Sequence, residues 1–581
     1  MSVKHFSNDP TSLVAAALRS AAYTNPSLAF DAAQKIVSLR DAASQPTVAL
    51  ISGGGSGHEP SFAGFVGNGF LTAAVAGSVF ASPSAEQVFR AIRKVGSAQP
   101  ERGILVIIMN YTGDMLHFGM AVEKARAEGI KCELLVVGDD VGVGRARGGR
   151  IGRRGLAGTV LVQKIAAASA ASGATLEQVY KIANLAAQNT ATVGASLSHV
   201  HVPGREIVPD ELGDEIEIGM GIHNEEGFGR VKTDLPGLVS TMLKQLLDKS
   251  DKDRAYINVQ PSDQVVALVN NLGGISALEL GAITTEVVDQ LASKHSIRPV
   301  RLLSGTYMTS LNGMGFSITL LKVVDKSFVE LIDAPADAAG WSPAVQTQNW
   351  GRGIDTSRQP DEHAEAGQDD ANSVSSNLTI KSDFAAQKLK SALNSLIAAE
   401  PQITKYDTIV GDGDCGLCLK TGAEAVLKFI ESQPVPSDVV RLVHNIAQVV
   451  ESSMDGTSGA LYAIFINAFA SGLQSASSNS QQEITPQIWA AGLQAALTSL
   501  AKYTPAQPGD RTVVDALAPF VATLAQTLDL GSAVKAAEKG CESTKGMEAS
   551  LGRSVYVSAE GWNSCPDPGA YGLVKLLEGL I

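Results

Sequence analysis

Aromatic residues are scarce in this sequence, at 5% of 581 positions, and cysteine is scarcer still, with five. Five thiols in a chain this long build no disulfide framework, so a reducing compartment, the cytosol, is expected. Cys415 and Cys418 form one CxxC, but no second pair exists to complete a zinc site. Positive charge is also short. Lys plus Arg is 46 against 59 Asp plus Glu, a net charge of −13, which argues against a protein held to nucleic acid by phosphate neutralisation. No apolar run approaches the roughly 18 residues of a membrane span, and the N-terminus MSVKHFSNDP has no apolar core like that of a secretory signal. No GxxxxGK[ST] occurs, which excludes a P-loop.

What the chain has is glycine, 57 residues of it, within a composition that is 45% hydrophobic. That combination predicts large cores and many tight turns, the usual mark of an α/β protein that handles phosphates or small polar substrates. At about 150 residues per domain the length predicts several lobes. Thr47–Ser52, Ile104–Met109 and Glu133–Val137 are continuous apolar runs that read as buried parallel strands, with Ala-rich helical stretches such as Ala121–Gly129 and Leu161–Ala171 between them. This is a βαβ pattern with helices covering both sheet faces. A second α/β lobe begins near residue 190, with strands at Glu215–Met220, Val265–Asn270, Pro299–Leu303 and Phe316–Val324. From Val345 to Asn377 the aliphatic content collapses, as in a solvated linker. Beyond it Phe384–Ala399, Val439–Ser452, Ala460–Leu473, Pro486–Ala501 and Thr512–Leu528 read as amphipathic helices, with Ser382 and Asp383 as N-caps for the first. The expected divisions are 1–190, 191–344, a linker over 345–380, and 381–581.

Three local patterns carry chemistry. In YDTIVGDGDCG, Asp407, Asp412 and Asp414 stand at i, i+5 and i+7 and converge only if the chain loops, and their repulsion calls for a hard cation such as Mg²⁺. The spacing is not that of an EF-hand, and a solvated acidic turn is the other reading. Met454–Gly459 (MDGTSG) precedes a helix, where free backbone N–H groups make either an anion site or an ordinary cap. In the first lobe ISGGGSGHEP comes after a strand and NYTGD after another, which brings His58 and Asp114 to one sheet rim as an acid/base pair in outline, or as polar structure. The second lobe adds His223 in GIHNEEG, a Gly-flanked turn after a strand. His199 and His201 read as structural.

Together GGGSGHEP, NYTGD, GIHNEEG, GDGDCG, MDGTSGALY and DPGAYG, with DDVGVGRARGGRIGRRGLAG, GTYMTSLNGMGF and TKGMEASLGRSVYV, resemble the ATP-dependent dihydroxyacetone kinases over essentially the whole chain. The resemblance implies a multidomain α/β plus all-α fold, with a two-lobed α/β substrate-binding K domain followed by an all-helical, eight-helix barrel-like nucleotide-binding L domain. It implies phosphorylation of dihydroxyacetone, and of D-glyceraldehyde, with ATP and Mg²⁺ as cofactors, a small-molecule triose as partner and a homodimer as assembly. The substrate carbonyl is then held as a hemiaminal on His223, with His58 and Asp114 orienting and deprotonating the attacking hydroxyl. Gly55, Ser56, Gly57 and Met109 line the substrate. Asp407, Asp412 and Asp414 hold the metal. Cys415, Gly416, Leu417, Cys418, Thr457, Ser458 and Gly459 contact phosphates, and Gly509, Arg553, Asp567, Pro568 and Gly569 complete the nucleotide pocket. The two half-sites meet across a domain interface.

The chain departs from the family pattern at Met109, where Lys is usual, and at Met115, His117, Cys418, Arg511, Val513 and Glu226. None of these removes the three Asp, His58, Asp114 or His223. Some relatives form cyclic FMN from FAD at the same nucleotide site, and lone relatives of the K domain bind the substrate as regulators without catalysis, so both remain alternatives to the kinase reading.

Overall fold

Six apolar residues in a row leave no polar face, and Ile104–Met109 accordingly forms a strand with every residue buried. It lies inside the first of two six-stranded sheets in a computed structural model that describes residues 4–207, 212–342, 345, 347–350, 375–477, 480–551, 555 and 559–581. The chain divides into two units, Met1–Thr356 and Ser357–Ile581. The first sheet comprises β1 (Leu28–Asp31), β2 (Ile36–Leu39), β3 (Ala49–Ser56), β4 (Ala73–Val79), β5 (Ile104–Met109) and β6 (Cys132–Val137) in the order β1-β2-β4-β3-β5-β6. Its four inner and C-terminal strands run parallel, as the apolar runs predict, while the β1–β2 hairpin joins β4 antiparallel.

The second sheet is β7 (Thr190–Ser196), β8 (Ile216–Ile218), β9 (Gly229–Val231), β10 (Val265–Asn271), β11 (Arg301–Gly305) and β12 (Gly315–Lys322), ordered β11-β10-β12-β7-β8-β9. Only β10–β11 pairs parallel in it, so this lobe is a mixed sheet rather than a second βαβ array. Leu235–Leu247 and Ala277–His295 supply the helical layer of its core. Asp139, just past β6, ties the two sheets together. Its carboxylate accepts from the Leu156 and Gly158 N–H groups at 2.6 and 2.8 Å and from Thr192 Oγ1 at 2.5 Å, and its carbonyl accepts from Thr192 N at 2.7 Å. One carboxylate thus caps the helix Gly158–Ala171 and fastens β6 to β7. A side chain at Gly158 would collide with it, its Cβ lying 2.5 Å from Asp139 Oδ2.

Among its described residues the second unit is helical apart from a two-residue parallel pairing of Leu378–Thr379 with Gln482–Glu483. Its described helices are Ser382–Val410, Cys415–Ser432, Val439–Ser453, Gly456–Ala476, Pro486–Leu500, Val514–Thr527, Leu530–Ser543, the short Ala559–Ser564 and Pro568–Glu578. Two expectations need correction. Ser382 and Asp383 are not caps: Lys381 occupies that position without a side-chain bond, and both residues sit inside the first turn. Nor does the helix end at Ala399, because Pro401 is accommodated within its 29 residues. Most of the polar stretch read as a linker, residues 351–374, lies outside the described residues.

Asp139→Ala leaves three buried donors without an acceptor, and we expect it to destabilise the protein by about 3–5 kcal/mol. Chemical denaturation measures the loss, and hydrogen exchange should rise first in residues 154–160 and 190–194. Unchanged protection there would show that the carboxylate is not the tie between the sheets.

Candidate functional site

The glycine run that ends β3 brings backbone and rings closer than side chains would permit. Gly57 adopts φ +102°, and a Cβ there would stand 2.8 Å from the Phe80 ring. The turn delivers His58 to a fully buried position, where an imidazole needs partners for both nitrogens. Nδ1 meets the Thr309 carbonyl at 2.9 Å, and Nε2 meets His223 Nε2 at 3.0 Å. Phe80 stacks on His58 with ring centres 5.2 Å apart, and Phe80 and Tyr111 meet His223 edge-on at 5.2 and 4.7 Å. His223 is fixed from its other side by Glu225, whose Oε1 lies 3.0 Å from Nδ1 and whose Oε2 accepts the His223 N–H at 2.9 Å. Burial works to raise the Glu225 carboxyl, but its hydrogen bonds and charge attraction to His223 outweigh it and hold the group at about 2. Burial first, and then the charge of His223, drive His58 down to about 3.

Asp114 stands in the first turn of the helix Thr112–Ala127, buried, with Oδ1 lacking a hydrogen-bond partner. Burial pushes its carboxyl up to about 6, against the stabilising pull of Ser82 and His223. A buried carboxylate oxygen without a donor is an acceptor held ready for a ligand hydroxyl. The Ser56 hydroxyl is taken by the Gly77 carbonyl at 2.9 Å, and a Cβ on Gly55 would press on Ala81 N at 2.8 Å. Met109 is in the core at the end of β5, packed against Gly155. His199 and His201 are engaged elsewhere, His199 with Glu217 at 3.0 Å and His201 with His5 at 3.0 Å.

In the helical unit the three acidic residues do converge. Asp407, Asp412 and Asp414 place one carboxylate oxygen each within 4.8 Å of one another, Asp407 buried and the other two exposed. The loop is shorter than the motif suggests: Asp407 belongs to the last turn of Ser382–Val410, and only Gly411–Asp414 leaves helical structure. Gly413 turns with φ +84°, and the Cys415 N–H donates to Asp407 Oδ2 at 3.0 Å. Three hard oxygen donors suit Mg²⁺ and not a thiophilic metal. Two helix N-termini stand beside the cluster. Cys415 Sγ lies 3.8 Å from Ser458 Oγ, and Cys418 Sγ donates to the Asp455 carbonyl at 3.2 Å, so Cys415–Cys418 and Thr457–Gly459 adjoin. The N–H groups of Cys415, Cys418 and Gly459 are taken by Asp407 and by the Asp414 and Asp455 carbonyls, and the positive ends of the two helices favour an anion.

Asp567 caps Pro568–Glu578 by accepting from Ala570 N at 2.8 Å. Burial raises its carboxyl to about 6, against that bond and the charge of Arg511, with Asp515 and Asp407 opposing ionisation too. Gly509 N donates to Asp515 Oδ1 at 2.6 Å, Pro568 opens the last helix, and Gly569 lies beside Asp567 and Val513. Leu417 is exposed on the first turn of Cys415–Ser432, and Arg553 lies outside the described residues. Sequence reasoning passed over Glu225, Thr309, Phe80 and Tyr111. Only Glu225 left a signal, a carboxylate two residues after a histidine in a turn.

Comparison with known proteins agrees with this division of the chain. Residues 19–340 match the Dak1 domain and 409–581 the DAK2 domain. The chain is 44% identical to a dihydroxyacetone kinase of Pichia angusta over 100% of its own length and 98% of the relative's. It is 38% identical to a human triokinase/FMN cyclase over 92% of this chain and 91% of that one. Among solved structures, the dihydroxyacetone kinase from C. freundii in complex with AMP-PNP and Mg²⁺ is 32% identical, covers 99% of both chains and superposes with a TM-score of 0.64. The chain therefore belongs to the dihydroxyacetone kinase family, in which a Dak1 and a DAK2 domain are fused in one polypeptide.

Proposed function

We propose that this kinase transfers the terminal phosphoryl group of ATP to a hydroxyl of dihydroxyacetone, with D-glyceraldehyde as a second substrate. The observation that carries the reading is the set of three carboxylates within 4.8 Å of one another beside two helix N-termini. That is a metal site and a phosphate site side by side, which phosphoryl transfer requires. Asp407, Asp412 and Asp414 would hold Mg²⁺, which when bound neutralises charge developing on the phosphates. The backbone of Cys415–Cys418 and Thr457–Gly459 binds the phosphate oxygens, and Gly509, Arg553, Asp567, Pro568 and Gly569 close the nucleotide pocket.

In the first unit His223 captures the substrate carbonyl as a hemiaminal through Nε2, a role supported by Glu225 on the opposite ring nitrogen. His58 orients the ligand, and Asp114 accepts the proton of the hydroxyl that becomes phosphorylated. Backbone groups of Gly55, Ser56 and Gly57 and the wall near Met109 complete the substrate site. Intact metal carboxylates favour a catalyst over a regulator that only binds substrate. The reading extends to a cytosolic homodimer, for which the five free cysteines and the family resemblance are the support. No described helix is long and apolar enough to cross a membrane.

Three outcomes test this. ADP formation from Mg-ATP should depend on dihydroxyacetone; an enzyme that instead released cyclic FMN from FAD and no ADP would overturn the reading. Asp412→Asn and Asp414→Asn should lower kcat by about 10³-fold or more, the loss of several kcal/mol of charge stabilisation. Both variants should remain at least as thermally stable as wild type without nucleotide, because a repulsion is relieved, yet gain little on addition of Mg-ATP. Near wild-type turnover in Asp412→Asn would return the loop to a solvated turn. Asp114 must be ionised to accept a proton, so kcat/KM for dihydroxyacetone should rise with pH through about 6 and level above it. Asp114→Asn should remove that limb along with most of the activity, and a limb unchanged in the variant would assign it elsewhere.

A further inference from the structure

Hydrogen-bond partners settle where protons sit when they can only accept. The Nδ1 of His58 faces the carbonyl of Thr309 at 2.9 Å, and a carbonyl has no proton to give, so this Nδ1 carries hydrogen. The Nδ1 of His223 faces a Glu225 carboxylate oxygen at 3.0 Å, and an ionised carboxylate likewise only accepts, so this Nδ1 carries hydrogen too. Two neutral rings protonated at Nδ1 would present two bare lone pairs at Nε2. Those two nitrogens are 3.0 Å apart. Lone pair against lone pair at that distance is repulsive, whereas one proton between them makes a short charge-assisted hydrogen bond.

We propose that His58 and His223 share a single proton in the ligand-free enzyme and that Glu225 is the positioning residue that fixes the His223 tautomer and balances the resulting charge. A second proton is shut out, because His58 is buried and already faces the charge of the pair. Rotation of either ring is opposed as well. A half-turn would put carbon where Thr309 or Glu225 now accepts, and Phe80 and Tyr111 close against the ring faces and edges. The other ionisable groups around the pair come from three elements: Asp114 and Tyr111 after β5, Arg154 with Asp140 in the segment after β6, and Glu59 beside His58. Arg154 opposes a positive pair, but its guanidinium is already matched by Asp140 at 2.7 Å. Glu225 is thus the anion in direct contact with the pair.

This deepens the proposed capture of a carbonyl substrate and rests on that reading only for the bond-forming step. As the shared proton moves onto His58 Nε2, His223 Nε2 is freed to bond to the carbonyl carbon, the C–O π pair moves to oxygen, and that proton passes from His58 to the oxygen. His223 then carries a substituted Nε2 and its original Nδ1–H, positive and opposite Glu225. The site holds one positive charge on the rings before and after, so no proton has to cross the protein surface.

The test uses the full chain with ¹⁵N-labelled histidine, without substrate or nucleotide, so it is independent of whether dihydroxyacetone is phosphorylated. With nine histidines the ring nitrogens are assignable by single replacements. At neutral pH we expect both Nδ1 atoms to be protonated, with one far-downfield proton coupled to the two Nε2 atoms. Two bare Nε2 signals, or an unprotonated Nδ1 on either ring, would overturn the proposal in the wild-type protein alone. Glu225→Gln keeps an acceptor for Nδ1 but removes the charge. It should weaken the hold on the shared proton, so that the far-downfield signal is lost or broadened at neutral pH, because an opposite charge in contact favours the charged pair. A purely structural Glu225 would leave that signal unmoved in the Gln variant, which would refute its assigned role.

Discussion

A buried imidazole with no access to water has to satisfy both ring nitrogens from the protein, and the substrate unit is assembled around that demand at His58. The loop after β3 supplies His58, the segment before β12 supplies the Thr309 carbonyl, and the turn after β8 supplies His223. Neighbouring bonds hold the same three pieces. Leu311 N donates to the Gly57 carbonyl at 2.7 Å, Thr309 Oγ1 to the Glu59 carbonyl at 2.9 Å, and Ser310 Oγ to the Ile222 carbonyl at 2.7 Å. The site is therefore part of the seam that joins the two sheets. Loosening it costs fold as well as the geometry of the pair, which is how two imidazoles are kept in one orientation.

How much of this was legible depended on how local the information was. Continuous runs such as Ile104–Met109 and Val265–Asn271 declare themselves, because a strand covered on both faces has no other pattern. The short strands Leu28–Asp31, Ile36–Leu39 and Gly229–Val231 were not foreseen, since three or four residues show no period. The convergence of the acidic loop was legible from spacing, its three carboxylates lying within eight residues of one another. His58 and His223 stand 165 positions apart and come together only through the packing of two sheets. Spacing carries no trace of that, and only resemblance of the surrounding motifs pointed to it. Glu225 was in plain sight yet unassigned, because its role depends on the direction in which a turn aims a carboxylate.

The two units handle negative charge in opposite ways. In the helical unit, carboxylates are gathered where solvent reaches Asp412 and Asp414. In the substrate unit, Asp139 and Glu225 are neutralised from within, by N–H donors and by an imidazole. The first arrangement faces solvent, and the second is matched by donors of the protein itself.

Close packing at the rim ties Met109 to a neighbour. A Cβ placed on Gly155 would lie 2.6 Å from the Met109 Cβ, so the two positions share one space. Shrinking 109 to alanine would not make room, because its Cβ and Cα lie 2.6 and 2.9 Å from the added atom. Any side chain at 155 therefore needs the backbone itself to withdraw, and across descendants of this chain position 155 should stay glycine whichever residue is inherited at 109.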